Sequence, residues 1–282
     1  MKWLSKKLME YDIENDFWTE TELRLERNFF PFSRSVYLPN QDIIVLGGMD
    51  DADPYRPVFT ERVFMIQEVP KDSYDNVYLI TNLKPMQMMR GCFAAIYHEG
   101  WVWAFGGVNY QDKVSKKCER YNVEQDDWKR IPDMNTPRKN ASACALSADT
   151  IYVFGGTSQV ETLDTIEQFS ISTHVWTVLR VKMPIPAAFM STFKVSDSEI
   201  ILMGGMVRDL KNLSTYKTSE ALVFNVVRGK FKRLKQLDHA AISLHPVFYD
   251  DGQVFMIEEE GVEASEIGDS PKVLRYDISR LI

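Results

Sequence analysis

The side chains able to act as nucleophile, general base or metal ligand are few and scattered. There are four histidines (His98, His174, His239, His245) and three cysteines (Cys92, Cys118, Cys144). A Cys–His pair would supply an activated thiolate, and several such ligands at fixed spacing would hold a transition metal. No HExxH, CxxC, GxSxG, P-loop or GxGxxG pattern occurs. Cys92 and Cys144 fall in apolar strand-like runs and read as core thiols. His98 and His174 fall at hairpin turns and read as solvated, while His239 and His245 flank a strand and read as turn contacts. No catalytic residue, metal site or cofactor is therefore expected. An odd number of cysteines outside any CxxC pair points to thiols in a reducing compartment and against a disulfide framework.

The bulk properties narrow the function classes. The chain has 282 residues, 45% hydrophobic, 12% aromatic and 26% charged, which is ordinary globular usage. A net charge of −7 argues against nucleic acid as the main partner, since phosphate binding needs clustered Lys and Arg. No apolar run reaches the roughly 18 residues of a membrane helix. The first residues, MKWLSKKLMEYDIEND, lack the apolar core of a signal peptide. Cytoplasm or nucleus is the expected location, and the sequons at Asn140 and Asn212 read as chance matches.

The elements that must position any site are announced by glycines. Short apolar runs ending in a glycine pair recur: DIIVLGG, WVWAFGG, TIYVFGG and EIILMGG, closing on Gly47-Gly48, Gly106-Gly107, Gly155-Gly156 and Gly204-Gly205. The steps between pairs are 59, 49 and 49 residues. A fifth copy, QVFMIEE at Gln253 to Glu259, keeps the strand and loses the glycines. A second signal runs in phase with the first, an aromatic followed seven residues later by another: Tyr11 and Trp18, Tyr121 and Trp128, Phe169 and Trp176, Phe224 and Phe231. The polar segment between them predicts a hairpin. The apolar run before each glycine pair supplies two further strands, so each unit reads as four antiparallel strands in about 50 residues.

With these elements in place the sequence resembles the kelch-repeat family. The matching features are the glycine pair, the Tyr/Phe to Trp/Phe step of seven and the Met134-Asn135-Thr136-Pro137-Arg138 approach to a first strand. The resemblance implies an all-β propeller with one four-stranded blade per repeat around a channel. Gly47, Gly48, Gly106, Gly107, Gly155, Gly156, Gly204, Gly205 and the aromatic pairs then serve the fold, not function. One domain over residues 1–282 is expected, with full repeats at about 29–83, 84–133, 134–182 and 183–236. The closing blade would join 237–282 to 1–23. The count is 21 strands, from Lys6–Asp12 and Phe17–Leu23 at one end to Lys272–Ile278 at the other. Five blades need 20 and six need three more than the count, so five is the expectation and one strand is surplus. The first full repeat is about ten residues longer, and VPKDSYDNVYLI places the excess in the hairpin of its outer strands.

That architecture gathers the segments after each glycine pair on one face, with charges that differ by blade. Residues 49–57 carry Asp50, Asp51 and Asp53 against Arg56, net −2, beside Tyr55. Residues 108–117 are net +2 and include Asn109 and Tyr110, 157–164 are net −2, and 206–217, with Arg208 and Tyr216, are net +2. Residues 258–271 hold Glu258, Glu259, Glu260, Glu263, Glu266 and Asp269, net −6. Ring closure would join the first and last of these loops into one sector of −8. Such a sector suits a basic segment of a partner protein, and equally a solvated loop that aids solubility. Arg90 and Arg138 sit 16 and 17 residues before their glycine pairs. In kelch adaptors arginines near these positions hold peptide carboxylates at the channel mouth, a task suited to the guanidinium fork. The other reading is pairing with acids on neighbouring strands, and Pro186 and His239 break any full arginine ring.

The expected function is a non-enzymatic protein–protein interaction module, a scaffold or substrate-recognition subunit such as a ubiquitin-ligase adaptor. Two alternatives stay open. Some kelch propellers are enzymes, including copper-dependent sugar oxidases and sialic-acid epimerases, and others bind actin.

Overall fold

The computed structural model describes residues 2–4, 7–22, 32–50, 58–69, 77–109, 111, 113–209, 214–240, 248–250, 252–258 and 272–277. Among them there is no helix. Strands β1 (Lys2–Leu4), β2 (Lys7–Asp12) and β3 (Phe17–Glu22) form a three-stranded sheet. A four-stranded sheet follows from β4 (Arg34–Tyr37), β5 (Ile43–Leu46), β8 (Val63–Val69) and β9 (Val77–Leu83). A small hairpin, β6 (Met49–Asp50) and β7 (Val58–Phe59), connects its two middle strands. The next sheet is β10 (Ala94–His98), β11 (Trp101–Phe105), β12 (Cys118–Asn122) and β13 (Asp127–Ile131). Then come β14 (Ser142–Ser147), β15 (Thr150–Phe154), β16 (Ile166–Ser170) and β17 (Val175–Val178). In the last complete sheet, β18 (Ser191–Ser196), β19 (Glu199–Met203), β22 (Ala221–Asn225) and β23 (Lys230–Arg233) are joined through hairpin β20 (Met206–Asp209) and β21 (Ser214–Lys217). Strands β24 (Phe248–Asp250), β25 (Gln253–Glu258) and β26 (Lys272–Asp277) make a final three-stranded sheet. All pairing is antiparallel.

The second strand of each complete sheet explains the stacking. Residues Ile43–Leu46, Val102–Phe105, Ile151–Phe154 and Ile200–Met203 are buried without alternation, as a strand covered on both faces must be. Apolar cores lie between successive sheets. One joins Val36, Ile44, Leu46 and Val63 to Phe93, Val102, Tyr121 and Trp128, and another joins Trp103 and Phe105 to Ile151, Phe169 and Trp176. The first strands of neighbouring sheets pack in order, β4 on β10, β10 on β14 and β14 on β18. This is the blade arrangement of a propeller.

The sequence signals have direct structural roles. Each aromatic step spans the outer hairpin, with Tyr121 opposite Trp128 and ring centroids 5.1 Å apart, and Phe169 opposite Trp176 at 4.8 Å. The turn is set by an Asx acceptor and a left-handed residue. Asn122 Oδ1 accepts from the Gln125 N–H, and Asp126 has φ +46° before β13 begins. The second glycine of a pair reaches the following blade: Gly48, Gly107 and Gly156 donate N–H to the carbonyls of Arg90, Arg138 and Ala187. At Gly106 φ is +65°, and a Cβ there would collide with the Arg138 carbonyl oxygen. The long hairpin of the first full repeat is present as two seven-residue strands, β8 and β9.

The described pairing does not establish the five-blade expectation. The N-terminal strands form a sheet of their own, and β1, which the sequence reading missed, is its third strand. Among the described residues no ladder joins that sheet to β24–β26. Among the described residues there are four sheets of four strands and two of three, besides the two-stranded hairpins β6–β7 and β20–β21.

Candidate functional site

Two ends of the blades face outward. The turns between first and second and between third and fourth strands lie at one end. The segments after the glycine pairs and the approaches to the first strands lie at the other, here called the loop face. Short bridges hold the loop face to the blades: Gly91 pairs with Val108, Lys139 with Thr157 and Ala188 with Met206. Loops also support one another across blades, since Gln159 Oε1 accepts from the Val114 N–H at 3.1 Å.

At the inner edge of this face four equivalent residues share a left-handed backbone: Phe32 (φ +63°), Cys92 (+56°), Asn140 (+53°) and Phe189 (+57°). They are linked in series. The Cys92 N–H donates to Phe32 O at 3.1 Å, Asn140 to Cys92 O at 2.7 Å and Phe189 to Asn140 O at 2.9 Å. Left-handed backbone is uncommon outside glycine and persists where the surroundings over-determine it. Sequence reasoning missed this chain of residues, although a signal existed: they precede the first glycine of their pairs by 15, 14, 15 and 15 residues.

The side chains of Arg90 and Arg138 turn away from the loop face into their blades. They are 1% and 0% exposed, and their guanidinium groups are spent inside their blades. Arg90 Nη1 donates to the carbonyls of Gly106 and Lys117, and Nη2 meets Glu119 Oε1 at 2.8 Å. Arg138 repeats the arrangement with Gly155, Thr165 and Glu167, again at 2.8 Å. Glu119 and Glu167 also accept from the approach segment, through the N–H groups of Gln87 and of Asn135 and Thr136. The channel-mouth reading of these arginines is thus corrected to pairing with acids across strands. The physical reason is the register. Glu119 lies opposite Ala104 and Glu167 opposite Val153, and the matching positions in the two flanking blades are Phe64 and Leu222. Arginine and glutamate are present together or missing together, as a buried charge that needs its partner requires.

Burial pushes the Arg138 guanidinium down from its ordinary value, against the pull of Glu167. For Glu167 burial acts upward, but Arg138 and the bonds from Asn135 and Thr136 overcome it, leaving the carboxyl below the usual glutamate value.

The other anticipated residues fall as follows. Asp50 ends β6 opposite Val58, and Glu258 ends β25 opposite Lys272. Asn109 turns its carboxamide inward, with Oδ1 accepting from the Gln111 and Lys113 N–H groups, so it shapes its loop. Arg208 on β20 is exposed, and Tyr216 on the partner strand is 52% exposed. Lys113, Lys116 and Lys117 are exposed in the segment between β11 and β12. Asp51, Asp53, Tyr55, Tyr110, Glu259 and Glu260 lie outside the described residues. Cys144 and Cys118 are buried, and burial pushes both thiols up to about 12. Cys92 is half-buried and precedes β10, so it is not the strand-core thiol expected. His98 is half-buried at the end of β10, not solvated, and its carbonyl accepts from Trp103 Nε1. Among the described residues no three His, Cys, Asp or Glu side chains are grouped to hold a metal ion.

Comparison with known proteins agrees with this geometry. The KLHDC2/KLHL20/DRC7 Kelch-repeats domain matches residues 2–205. A RING finger domain and kelch repeat-containing protein of Dictyostelium discoideum is 25% identical over 60% of this chain and 16% of its own length. Beta-scruin of Limulus polyphemus is 26% identical over 58% of this chain and 18% of its own. Kelch repeat and BTB domain-containing protein 2 of cowpox virus is 25% identical over 75% of this chain and 38% of its own. The chain thus matches well under half the length of each of these relatives. Among solved structures, YjhT superposes with a TM-score of 0.71 at 12% identity, covering 95% of this chain and 90% of that one. At that identity the likeness speaks for the fold alone.

Proposed function

The chain belongs to the kelch-repeat family, and on that premise we propose that residues 1–282 form one propeller that binds a partner protein through its loop face, as a scaffold or substrate-recognition subunit. The observation that carries this reading is the contrast between bed and surface. Blades tied together by glycine amides and left-handed residues present loops whose exposed side chains include Lys113, Lys116, Lys117, Arg208 and Tyr216. A rigid scaffold under variable loops is how recognition surfaces are commonly built. The names of the relatives join kelch repeats to RING finger or BTB domains, which supports a ubiquitin-ligase adaptor as the finer form of the proposal.

Within the loop face, Asp50, Asp51, Asp53, Glu258, Glu259 and Glu260 form the acidic side of the proposal, suited to a basic partner segment. Complementary charge would act mainly on association rate and specificity. The test is affinity capture with the wild-type chain and with the variant Asp50→Lys, Asp51→Lys, Glu259→Lys, Glu260→Lys. Loss of a partner by a variant with unchanged circular dichroism is expected. Full retention of every partner would remove the acidic sector from the site.

A further inference from the structure

The sheet β10–β13 carries a patch of cations on indole rings that the other complete sheets lack. Trp103 lies opposite Arg120, Arg120 opposite Lys129 and His98 opposite Trp101, so these side chains share one face of the sheet. The Arg120 guanidinium stands 4.1 Å from the centre of the Trp101 ring and 5.1 Å from that of Trp103, and Lys129 Nζ is 5.4 Å from the Trp101 ring. Trp101 is half-buried against the core shared with the next blade, as is Ile171 of that blade. The patch therefore lies on the seam between two blades, toward the turn end. The repeat does not require it. At the tryptophan's place the other complete blades hold Asp42, Thr150 and Glu199, and at the arginine's place Met65, Gln168 and Val223.

Arg120 is set apart by the lack of an acid. Arg90 and Arg138 each meet a glutamate at 2.8 Å. Among the described residues the Arg120 guanidinium makes no hydrogen bond or ion pair, and its Nε is buried without a partner. Burial lowers this guanidinium from its ordinary value with no carboxylate pulling against it, whereas Glu119 and Glu167 do so for the other two arginines. Lys129 is exposed and forms no ion pair among these residues. His98 Nε2, across from Trp101, is also buried without a partner. Two acids of this end are engaged elsewhere. Asp127 holds Lys84 at 2.7 Å, and Asp149 in the next blade accepts from the Ser170 hydroxyl and the Ser172 N–H. A half-buried polar group left unsatisfied calls for an explanation. Guanidinium, ammonium and indole N–H are donors only, which fits an anion.

We propose that this patch is a second docking site, independent of the loop face, for an acidic segment of a partner protein, with an Asp or Glu carboxylate held by Arg120 and Lys129 beside the Trp101 ring. A carboxylate is what this chain itself places on its other blade arginines, and the planar fork of a guanidinium matches it in two bonds. Tryptophan and arginine are also the side chains that most often anchor a protein interface.

The probe is end-blocked tetraglutamate, with tetraglutamine as the neutral control and inorganic phosphate as the free anion. The readout is the indole N–H resonance of Trp101 in the full chain, identified by its loss in Trp101→Phe. Tetraglutamate is expected to move this resonance saturably, and tetraglutamine to leave it in place. Arg120→Gln should weaken the binding at least about tenfold. Its circular dichroism should be unchanged, because Gln168 already fills the equivalent position in the next blade. Arg120→Lys should keep only part of the affinity, since the charge stays and the fork is lost. No movement at millimolar peptide, an equal shift with tetraglutamine, or unchanged binding by Arg120→Gln would each overturn the proposal. Phosphate acting at lower concentration than the peptide would assign the patch to a free anion, and a shift with protein concentration alone would assign it to a second copy; either overturns it too. The loop-face reading is judged by capture with the charge-reversed variant, which keeps Trp101, Arg120 and Lys129, so the two readings fail separately.

Discussion

Arg138 and Glu167 are the sharpest case of a side chain whose type suggests binding and whose surroundings assign it to stability. Both are fully buried and meet at 2.8 Å. Removing one member leaves the other charge unpaired in the interior. Glu167→Ala should therefore destabilise by about 3–5 kcal/mol in chemical denaturation. The pair Arg138→Met with Glu167→Leu should lose less than either single variant, because Leu222 already fills the glutamate position in the next blade. The pair also has a pH signature. The folded Glu167 carboxyl is held below its ordinary value. Its contribution is complete above the unfolded glutamate pKa of about 4.3 and is lost as pH falls through the lower folded value. An acid titration of stability should thus steepen below about pH 4, and less so in the double variant. Thiol labelling is predicted from burial. At pH 8 half-buried Cys92 should react first, and Cys118 and Cys144, held up to about 12, should react on unfolding.

At the scale of the element, the repeat signals are contacts between blades. Trp176→Phe removes the bond to the Pro132 carbonyl and should cost about 1 kcal/mol. Trp176→Ala also opens a cavity and should cost about 3–5 kcal/mol. Glycines separate by surroundings. Gly100 has φ +78° with nothing within 4 Å of a Cβ, so Gly100→Ala should cost only the left-handed backbone term of about 1 kcal/mol. Gly106→Ala adds the collision with the Arg138 carbonyl and should cost clearly more. Paired denaturation curves give the comparison. These elements were legible in the sequence because the glycine pairs and the aromatic step are local and recur in phase. The left-handed series through Phe32, Cys92, Asn140 and Phe189 was not, because its four positions hold three residue types while its backbone is shared. Arg90 and Arg138 were half legible. Their position was clear, but burial depends on a glutamate 29 residues away on the third strand.

For the whole molecule, composition and repeat length led directly to stacked four-stranded blades. The blade number was not legible at the termini, where β1 carries neither a glycine pair nor an aromatic step of seven and, among the described residues, no ladder joins its sheet to β24–β26. The proposed function depends on which end of the blades is recognised, and some lysines mark each end. Lys113, Lys116, Lys117 and Lys217 belong to the loop face, whereas Lys194 and Lys230 border the hairpin turns of β18–β19 and β22–β23. Lysine-directed cross-linking of the affinity-captured complex, read by mass spectrometry, is the most direct test. The account predicts partner cross-links at Lys113, Lys116, Lys117 and Lys217. Cross-links confined to Lys194 and Lys230 would place recognition on the turn end and contradict it.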